Sequence, residues 1–340
     1  MNKKENKVYV LTYPYYKTGG TELCHQLVYA INSLGGNAQI LYKQTNDGKY
    51  LNPAFEKYVN SYEVLKEDMY TTIDDIVVIP ESDTLEIPKF TKATVYLWWM
   101  SVDNYFRWQN LKYIYEETKL LRTVKYLLTS YSFKKKYLPI NKMSNVKLHL
   151  AQSEYAIDFL HKNGVDNVKY LSDFINDDYI NMSHSVETKK KEDIVLYNPS
   201  KGYLFTKKIL ARNKDINFVP LANMSNKEIV GAMSKAKVYI DFGAHPGKDR
   251  IPREAAMMGC CVLTGTRGSA AFEDVSIPNK YKFCDKSSSI PAISATILDL
   301  LENYESRIGE FEQYRTIISK EKNQFYKDVN DIFIGKRYES

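Results

Sequence analysis

Residues 8–42 read VYVLTYPYYKTGGTELCHQLVYAINSLGGNAQILY, and they predict a strand, a helix and a second strand in that order. The run 8–11 is apolar over the length of a short buried strand, and 37–42 is predicted to be the next strand. Leucine, alanine and isoleucine recur at helical spacing between them. Thr21 is the predicted N-cap, and the glycine pair at 35–36 ends the helix. Units of this kind build parallel sheets, so the stretch predicts an α/β fold.

The same alternation of strands and helices continues through the chain and restarts once. A polar, highly charged stretch at 181–193 has no apolar period and is the predicted linker. We therefore predict two Rossmann-like, doubly wound domains that face a cleft, at 1–180 and 194–320, followed by a C-terminal helix at 321–340 that packs back on the first domain. The remaining predicted strands are 76–79, 94–98, 126–129, 147–151, 168–171, 194–197, 217–221, 238–242 and 261–264.

Composition and charge exclude several classes of protein. The chain has 340 residues, 44% of them hydrophobic and 26% charged, which is typical of globular domains and not of disordered chains. Its net charge of +6 is modest for that length and does not by itself indicate nucleic acid. The basic start lacks the apolar segment of a signal peptide, and no run of 18 apolar residues occurs. The four cysteines form no CxxC pair, so we expect reduced thiols in a cytoplasmic protein.

The stretch 241–264 reads DFGAHPGKDRIPREAAMMGCCVLT and carries the most chemistry. A strand ends here, a glycine-containing loop with two cations follows, and a helix then begins with Glu254 in its first turns. Backbone N–H groups and cations of such a loop can surround a diphosphate, while Glu254 can accept hydrogen bonds from two ribose hydroxyls. Alternatively, the loop charges are ordinary and Glu254 stabilises its helix N-terminus. The predicted nucleotide-binding residues here and in the following loop are Gly247, Lys248, Arg250, Glu254, Thr266 and Arg267.

Two further loops follow predicted strands and contain glycines. One leads from the first strand into the first helix, and the other reads NPSKG at 198–202. Glycines let a backbone approach a ligand closely, and a lysine can hold phosphate oxygens. The alternatives are a plain tight turn and a solvated lysine. A GxGxxG fingerprint is missing, which disfavours an NAD-dependent oxidoreductase. The predicted nucleotide-binding residues of the two loops are Gly19, Gly20, Ser200, Lys201 and Gly202.

A third group of candidates follows the strand predicted at 94–98. Trp98 and Trp99 offer aromatic faces that stack well on sugars, and Asp103 can orient or deprotonate a hydroxyl group. Alternatively, both tryptophans belong to the core and Asp103 caps a helix. The stretch 122–147 mixes lysines with aromatic residues, and it is either a contact with an anionic membrane surface or a solvated face.

The stretch 241–264 resembles the donor site of GT-B glycosyltransferases, those of family 4 in particular. That family carries the pattern E-x7-E in a loop and helix that read roughly EGFGLxxLEAMAxGxPVV. Glu254 and Gly259 match the second half, whereas Pro246 stands in the place of the first glutamate, with His245 beside it. In the family the first glutamate contacts the transferred sugar, so this departure leaves the donor sugar and the stereochemistry open.

The resemblance implies a role for each main candidate. Lys201 and Arg250 would stabilise the leaving diphosphate, Glu254 would hold the ribose, and His245 would lie near the sugar. Asp103 would lie near the acceptor. The implied reaction moves a sugar from a nucleotide diphosphate sugar to a hydroxyl of a glycan or lipid-linked saccharide, with retention favoured, in bacterial surface polysaccharide biosynthesis.

The resemblance also limits the expected partners. No cofactor besides the donor and no bound metal is expected, because the family relies on protein cations and helix dipoles, and the five histidines show no ligand spacing. The expected partners are a nucleotide sugar, a saccharide or lipid-linked acceptor and the inner face of the membrane, but no nucleic acid. Two other functions stay open: a nucleotide-sugar epimerase or hydrolase, and a non-catalytic carbohydrate or nucleotide binder that has lost the first glutamate.

Overall fold

A computed structural model describes residues 7–66, 69, 71–107 and 137–335 of the chain. The chain divides into two compact units, Met1–Asp173 together with Asn323–Ser340, and Phe174–Lys322. Each unit is built on a parallel sheet whose strands alternate with helices, which confirms the predicted α/β class.

The first unit contains a seven-stranded parallel sheet. Its strands are β1 Val8–Thr12, β2 Ala38–Tyr42, β3 Tyr62–Val64, β4 Ile76–Pro80, β5 Thr94–Trp99, β6 Val146–Ala151 and β7 Val168–Tyr170. The strand order is β3-β2-β1-β4-β5-β6-β7, so the winding reverses between β1 and β4. Ligands of doubly wound sheets bind outside the carboxyl ends of the strands at such a switch point.

The second unit repeats this plan with four parallel strands. They are β8 Glu192–Tyr197, β9 Asn217–Pro220, β10 Ala236–Asp241 and β11 Cys261–Thr264. The order is β11-β10-β8-β9, and here the winding reverses between β8 and β10. The carboxyl ends of β8 and β10 therefore flank the switch point of this sheet.

Helices connect most of the strands within the described residues. They are α1 Gly19–Ser33, α2 Val102–Arg107, α3 Glu154–Lys162, α4 Asp177–Ser183, α5 Tyr203–Arg212, α6 Asn226–Lys235, α7 Arg250–Met257, α8 Ile290–Glu302, α9 Tyr304–Arg307 and α10 Glu312–Val329. The longest of the short 3₁₀ segments is Glu81–Lys89, which directly follows β4.

The start of α1 differs from the prediction made for Thr21. Thr18 is the N-cap, and its hydroxyl accepts the Thr21 N–H while the Thr21 hydroxyl accepts the Thr18 N–H. Gly19 and Gly20 thus form the first turn of the helix and not the loop before it. Helix α6 begins with a capping box of the same kind, formed by Ser225 and Glu228.

The cores of both units consist mainly of strand residues that are buried from end to end. In β1 all five residues are buried, and Leu97 and Trp99 of β5 are fully inaccessible. The strands of the second unit likewise contain fully buried residues, such as Val195, Tyr239 and Leu263. Parallel strands covered on both faces produce such continuous apolar runs, which is why the sequence predicted most of them.

The boundary between the units lies at Asp173 and not in the predicted linker. The range 181–193 contains the end of α4, a 3₁₀ turn at Thr188–Lys190 and the start of β8, all within the second unit. Helix α10 is continuous, and its residues from Asn323 onward are grouped with the first unit.

Two predictions lie on residues outside the described ranges. These are the strand at 126–129 and most of the basic stretch at 122–147. Among the helices of the described ranges, none combines the length and the hydropathy needed to span a bilayer.

Candidate functional site

The switch point of the second sheet is formed by the loops 198–202 and 242–249. Their backbones touch, because a Cβ atom on Gly202 would lie 1.7 Å from the Phe242 carbonyl oxygen, and one on Gly243 would lie 2.7 Å from the Gly202 nitrogen. Both glycines also have positive φ, at 60° and 129°. Only glycine fits such an approach, so the sequence fixes the distance between the carboxyl ends of β8 and β10.

Five polar side chains meet at this crossing. Lys201 Nζ forms an ion pair with Asp249 Oδ2 and lies 3.3 Å from Asp241 Oδ2, and His245 Nδ1 lies 2.8 Å from the same Asp249 oxygen. The Tyr239 hydroxyl donates a 2.8 Å hydrogen bond to Asp241 Oδ2. His245 and Asp241 are buried, whereas the side chains of Lys201 and Asp249 are 18% and 24% exposed. Two members of the cluster therefore reach the surface.

The ion pairs of this cluster shift the pKa values of Lys201 and Asp249. Burial alone would lower the pKa of Lys201, but its pairs with Asp241 and Asp249 outweigh burial and raise it. Burial would raise the pKa of Asp249, yet Lys201 and His245 together lower it to about 2. Lys201 and Asp249 are thus both charged at neutral pH, and the ammonium is a permanent cation at the end of the sheet.

Two helix N-termini at this edge have no side-chain cap within the described residues. Helix α5 begins after Gly202, which has no side chain to offer. Helix α7 begins after Asp249, whose carboxylate is directed at Lys201 and His245 and makes no capping bond. In contrast, side chains cap α1 and α6. Uncapped N-terminal N–H groups beside a lysine are suited to an anion such as a phosphate.

Lys248 takes a different place from the one predicted. Its ammonium lies 2.9 Å from Glu321 Oε1, and Arg253, which is fully buried, donates to Glu321 Oε2 at 2.6 Å. Arg253 also donates to the backbone carbonyl oxygens of Lys248 and Asp249. Lys248 and Arg253 therefore tie the loop to α10, which does not support the predicted contact of Lys248 with a nucleotide.

Glu254 and Arg250 both lie in α7, where they are half-buried. The Tyr179 hydroxyl of α4 interacts with the Glu254 carboxylate, and burial together with this carboxylate raises the pKa of Tyr179. The carboxylate is therefore placed by a neighbouring phenol. Arg250 is the first residue of the helix, next to the cluster formed around Asp249.

The loop after β11 packs against the same segment. A Cβ atom on Gly268 would lie 2.0 Å from the His245 carbonyl oxygen, and Ser269 donates to the carbonyl oxygens of His245 and Gly247. Arg267 Nε lies 3.0 Å from Asp285 Oδ2. Thr266 and Ser200 are placed at the same edge of the sheet, as predicted from the strand ends, and Ser200 is exposed.

The predicted acceptor residues of the first unit are buried. Trp98 and Trp99 have no exposed surface, and their indole N–H groups donate to the Leu171 carbonyl oxygen and to His149 Nδ1. Neither ring has a face for a sugar, so the stacking prediction is wrong for both. Asp103 is 6% exposed and accepts a 2.7 Å hydrogen bond from Tyr155, which places it inside the unit.

The glycines of the first unit lie in the first turn of α1, which begins with Gly19. The Thr18 hydroxyl caps this helix by accepting the Thr21 N–H. A Cβ atom on Gly20 would lie 3.8 Å from Met100, so sterics do not require glycine there. After β4, the buried carboxyl of Glu81 accepts the Met100 N–H at 3.0 Å, and burial raises its pKa to about 8.

Comparisons with solved structures find proteins of this architecture, whereas comparisons of the sequence find no match. No protein-family model matches the sequence, and neither does any curated protein. Solved structures do match. WaaG, a glycosyltransferase involved in lipopolysaccharide biosynthesis, has 13% identity and a TM-score of 0.54 over 96% of this chain and 100% of its own. Sucrose-phosphate synthase from Thermosynechococcus elongatus has 10% identity and a TM-score of 0.54 over 97% and 95%.

Two further solved structures match this chain over different shares of their own length. An alpha-glucosyltransferase in complex with UDP and a 13-mer DNA has 9% identity and a TM-score of 0.50 over 98% of both chains. S. aureus TarM is matched over 80% of this chain and 54% of its own, with 12% identity and a TM-score of 0.44. The chain has the GT-B fold, as the resemblance implied, and these identities establish the fold alone.

Proposed function

We propose that this chain is a glycosyltransferase that binds a nucleotide diphosphate sugar at the carboxyl edge of its second sheet. The observation that carries the proposal is the position of Lys201 between two helix N-termini without side-chain caps, at the switch point of a parallel sheet. The Lys201 ammonium and the uncapped N–H groups at this point can donate hydrogen bonds to a diphosphate. The GT-B fold supports the same activity class.

Each residue of the site has a proposed role. Lys201 and Arg250 stabilise the diphosphate as negative charge develops on it during bond cleavage. Glu254, held by Tyr179, accepts hydrogen bonds from the ribose hydroxyls. His245 is fully buried beside the Pro246 that replaces the family's first glutamate, so its role is to hold Asp249 in place.

The finer assignments are also proposals. The acceptor is a hydroxyl of a glycan or lipid-linked saccharide, in line with WaaG, a lipopolysaccharide enzyme of the same fold. The donor nucleotide includes UDP among its candidates, because a UDP-bound alpha-glucosyltransferase shares the fold. We also propose that the product is a bacterial surface polysaccharide and that transfer proceeds with retention. The protein is proposed to contact the membrane peripherally.

A panel of nucleotides tests the donor site. Purified protein is titrated with UDP-, GDP- and dTDP-sugars while the thermal shift and the release of nucleoside diphosphate are followed, with and without saccharide acceptors. We expect one nucleotide to stabilise the protein and its release to need an acceptor. Release without any acceptor would indicate a hydrolase, and the absence of any shift would contradict donor binding altogether.

The variant Glu254→Ala tests whether Glu254 binds the ribose of the nucleotide. Removing the carboxylate leaves two ribose hydroxyls without partners, so binding of the identified nucleotide should weaken by about 1–3 kcal/mol. Isothermal titration measures this change. Glu305→Ala, an exposed glutamate of α9 in the same unit, is the matched control and should leave the affinity unchanged. Equal affinities of both variants would remove Glu254 from the ribose role.

A further inference from the structure

Asp241, His245 and Asp249 each present one atom that can ligate a metal, and these three atoms lie within 4.8 Å of one another. One imidazole nitrogen and two carboxylate oxygens form a donor set that divalent first-row cations accept. Asp241 Oδ1 is buried and has no hydrogen-bond partner among the described residues, so the cluster retains an acceptor that no neighbour uses. The geometry is that of a cation site.

The structure already places a cation there. Lys201 Nζ contacts both carboxylates, at 3.3 Å from Asp241 and in a shorter ion pair with Asp249. We propose that this cluster is a cation site whose cation is the Lys201 ammonium, and that Asp249 is the residue that positions it. Without the ammonium the cluster takes a divalent metal. Its use in holding a diphosphate rests on the proposed function, whereas the cation site rests on the cluster alone.

The sequence around Asp249 explains why its side chain is available for Lys201. An aspartate at an N-cap usually accepts the N–H of the second or third helical residue. The third residue of α7 is Pro252, which has no N–H, so only the Ile251 N–H remains as a cap donor, and Asp249 makes no capping bond. Its carboxylate is directed instead at Lys201 and His245. The N-terminus of α7 therefore has no side-chain cap, and Lys201 has Asp249 as an ion-pair partner.

A lysine needs such a partner more than an arginine does. Its ammonium sits on a flexible four-carbon stem with large rotamer entropy, so its carboxylate partners must select one position. The base of the stem is already fixed, because the next residue, Gly202, is in contact with the Phe242 carbonyl group. Asp249 fixes the other end. Loss of the ammonium would leave two nearby carboxylates with like charges, which favours a replacement cation.

Binding of Mn²⁺ tests the cation site without any nucleotide. We expect Lys201→Ala to bind MnCl₂ at least about tenfold more tightly than the wild type, because a charge that repels the metal is gone. The double variant Lys201→Ala/Asp249→Asn loses one ligand and should lose this gain. Electron paramagnetic resonance of free Mn²⁺ gives the affinities, and thermal melting shows that each variant is folded. Equal affinity of folded Lys201→Ala and wild type would overturn the proposal, as would tight Mn²⁺ binding by the wild type that Asp249→Asn removes.

Amine labelling tests the positioning role of Asp249. Acetic anhydride is applied to the folded protein, and mass spectrometry compares the labelling rate of Lys201 with that of exposed Lys207 in α5. Asp249→Asn should raise this ratio at least about threefold, because a released amine loses protons more readily, and Asp249→Glu should restore much of the protection. An unchanged ratio would show that Asp249 does not hold Lys201. Neither experiment involves a nucleotide, so both are independent of the donor panel.

Discussion

The two sheets reverse their winding in the same way, yet the residues at their switch points are used differently. At the first, between β1 and β4, Thr18 caps the following helix and the Glu81 carboxyl is buried against the Met100 N–H. At the second, between β8 and β10, the helices that follow have no side-chain cap in the described structure, and Lys201 stays partly exposed. At the first point a side chain caps the helix that follows, whereas the two helices at the second leave their N-terminal N–H groups without a side-chain cap.

This difference shows that fold position alone does not identify a binding site. Both edges lie at the carboxyl ends of parallel strands, where ligands of this fold class bind. What distinguishes them is whether a side chain caps the N–H groups of the helix that follows. Substitutions at each edge test this difference.

The largest effect is expected from Trp99→Ala in the first unit. Its indole is fully buried and packs against Tyr105 and Phe159, so truncation leaves a cavity that should cost about 3–5 kcal/mol of the free energy of unfolding. Urea denaturation measures the loss. Tyr16→Ala, in a loop where the ring is 69% exposed, is the control and should change stability by less than about 0.5 kcal/mol. A small loss for Trp99→Ala would reopen its role as a sugar-stacking residue.

Gly202→Ala should have a somewhat smaller effect at the second switch point. The new Cβ would collide with the Phe242 carbonyl group, and φ at this position is +60°, so we expect a loss of about 2–4 kcal/mol. Gly231→Ala is the matched control, since nothing lies near its Cβ and it is inside α6. Helix propensity should then stabilise that variant by up to about 1 kcal/mol. Similar melting curves for both variants would contradict the described crossing of the loops.

Counted over a single pH unit, the smallest effect concerns the pH dependence of stability at the first switch point. Burial raises the pKa of Glu81 from 4.5 to about 8, so between these values the folded chain keeps a proton that the unfolded chain has lost. The free energy of unfolding should therefore fall as pH rises through this window, by about 1 kcal/mol per pH unit from this group. Glu81→Gln should reduce that slope. An identical slope in both proteins, measured by urea denaturation from pH 5 to 8, would show that Glu81 is ionised in the fold.

Most of the fold could be predicted because its strands are buried on both faces. Strand β11, at Cys261–Thr264, was predicted with its observed bounds, and β1 with one residue missing. Strand β3 was missed because Tyr62–Val64 is short and partly exposed, without the apolar run that identified the others. The cap of α1 was misplaced because two glycines rarely open a helix, so Thr21 was a better local candidate than Thr18.

The candidate site was predictable only where a local pattern or the family resemblance covered it. Lys201 and His245 were identified in this way, but their shared partner Asp249 was not. The pair of Lys201 and Asp249 spans 48 positions of the sequence, and an aspartate before a helix is normally interpreted as its cap. Trp98 and Trp99 were misassigned although the run that contains them was typical of a buried central strand.

Hydrogen exchange tests the contrast between the two switch points most directly. The protein is compared with and without the nucleoside diphosphate that gives the largest thermal shift. Binding at the second switch point predicts slower exchange in the loops 198–202 and 242–249 and in the first turns of α5 and α7, with little change at 18–22, where Thr18 already caps the helix. Protection confined to 13–22, with none in the second unit, would contradict the proposed donor site.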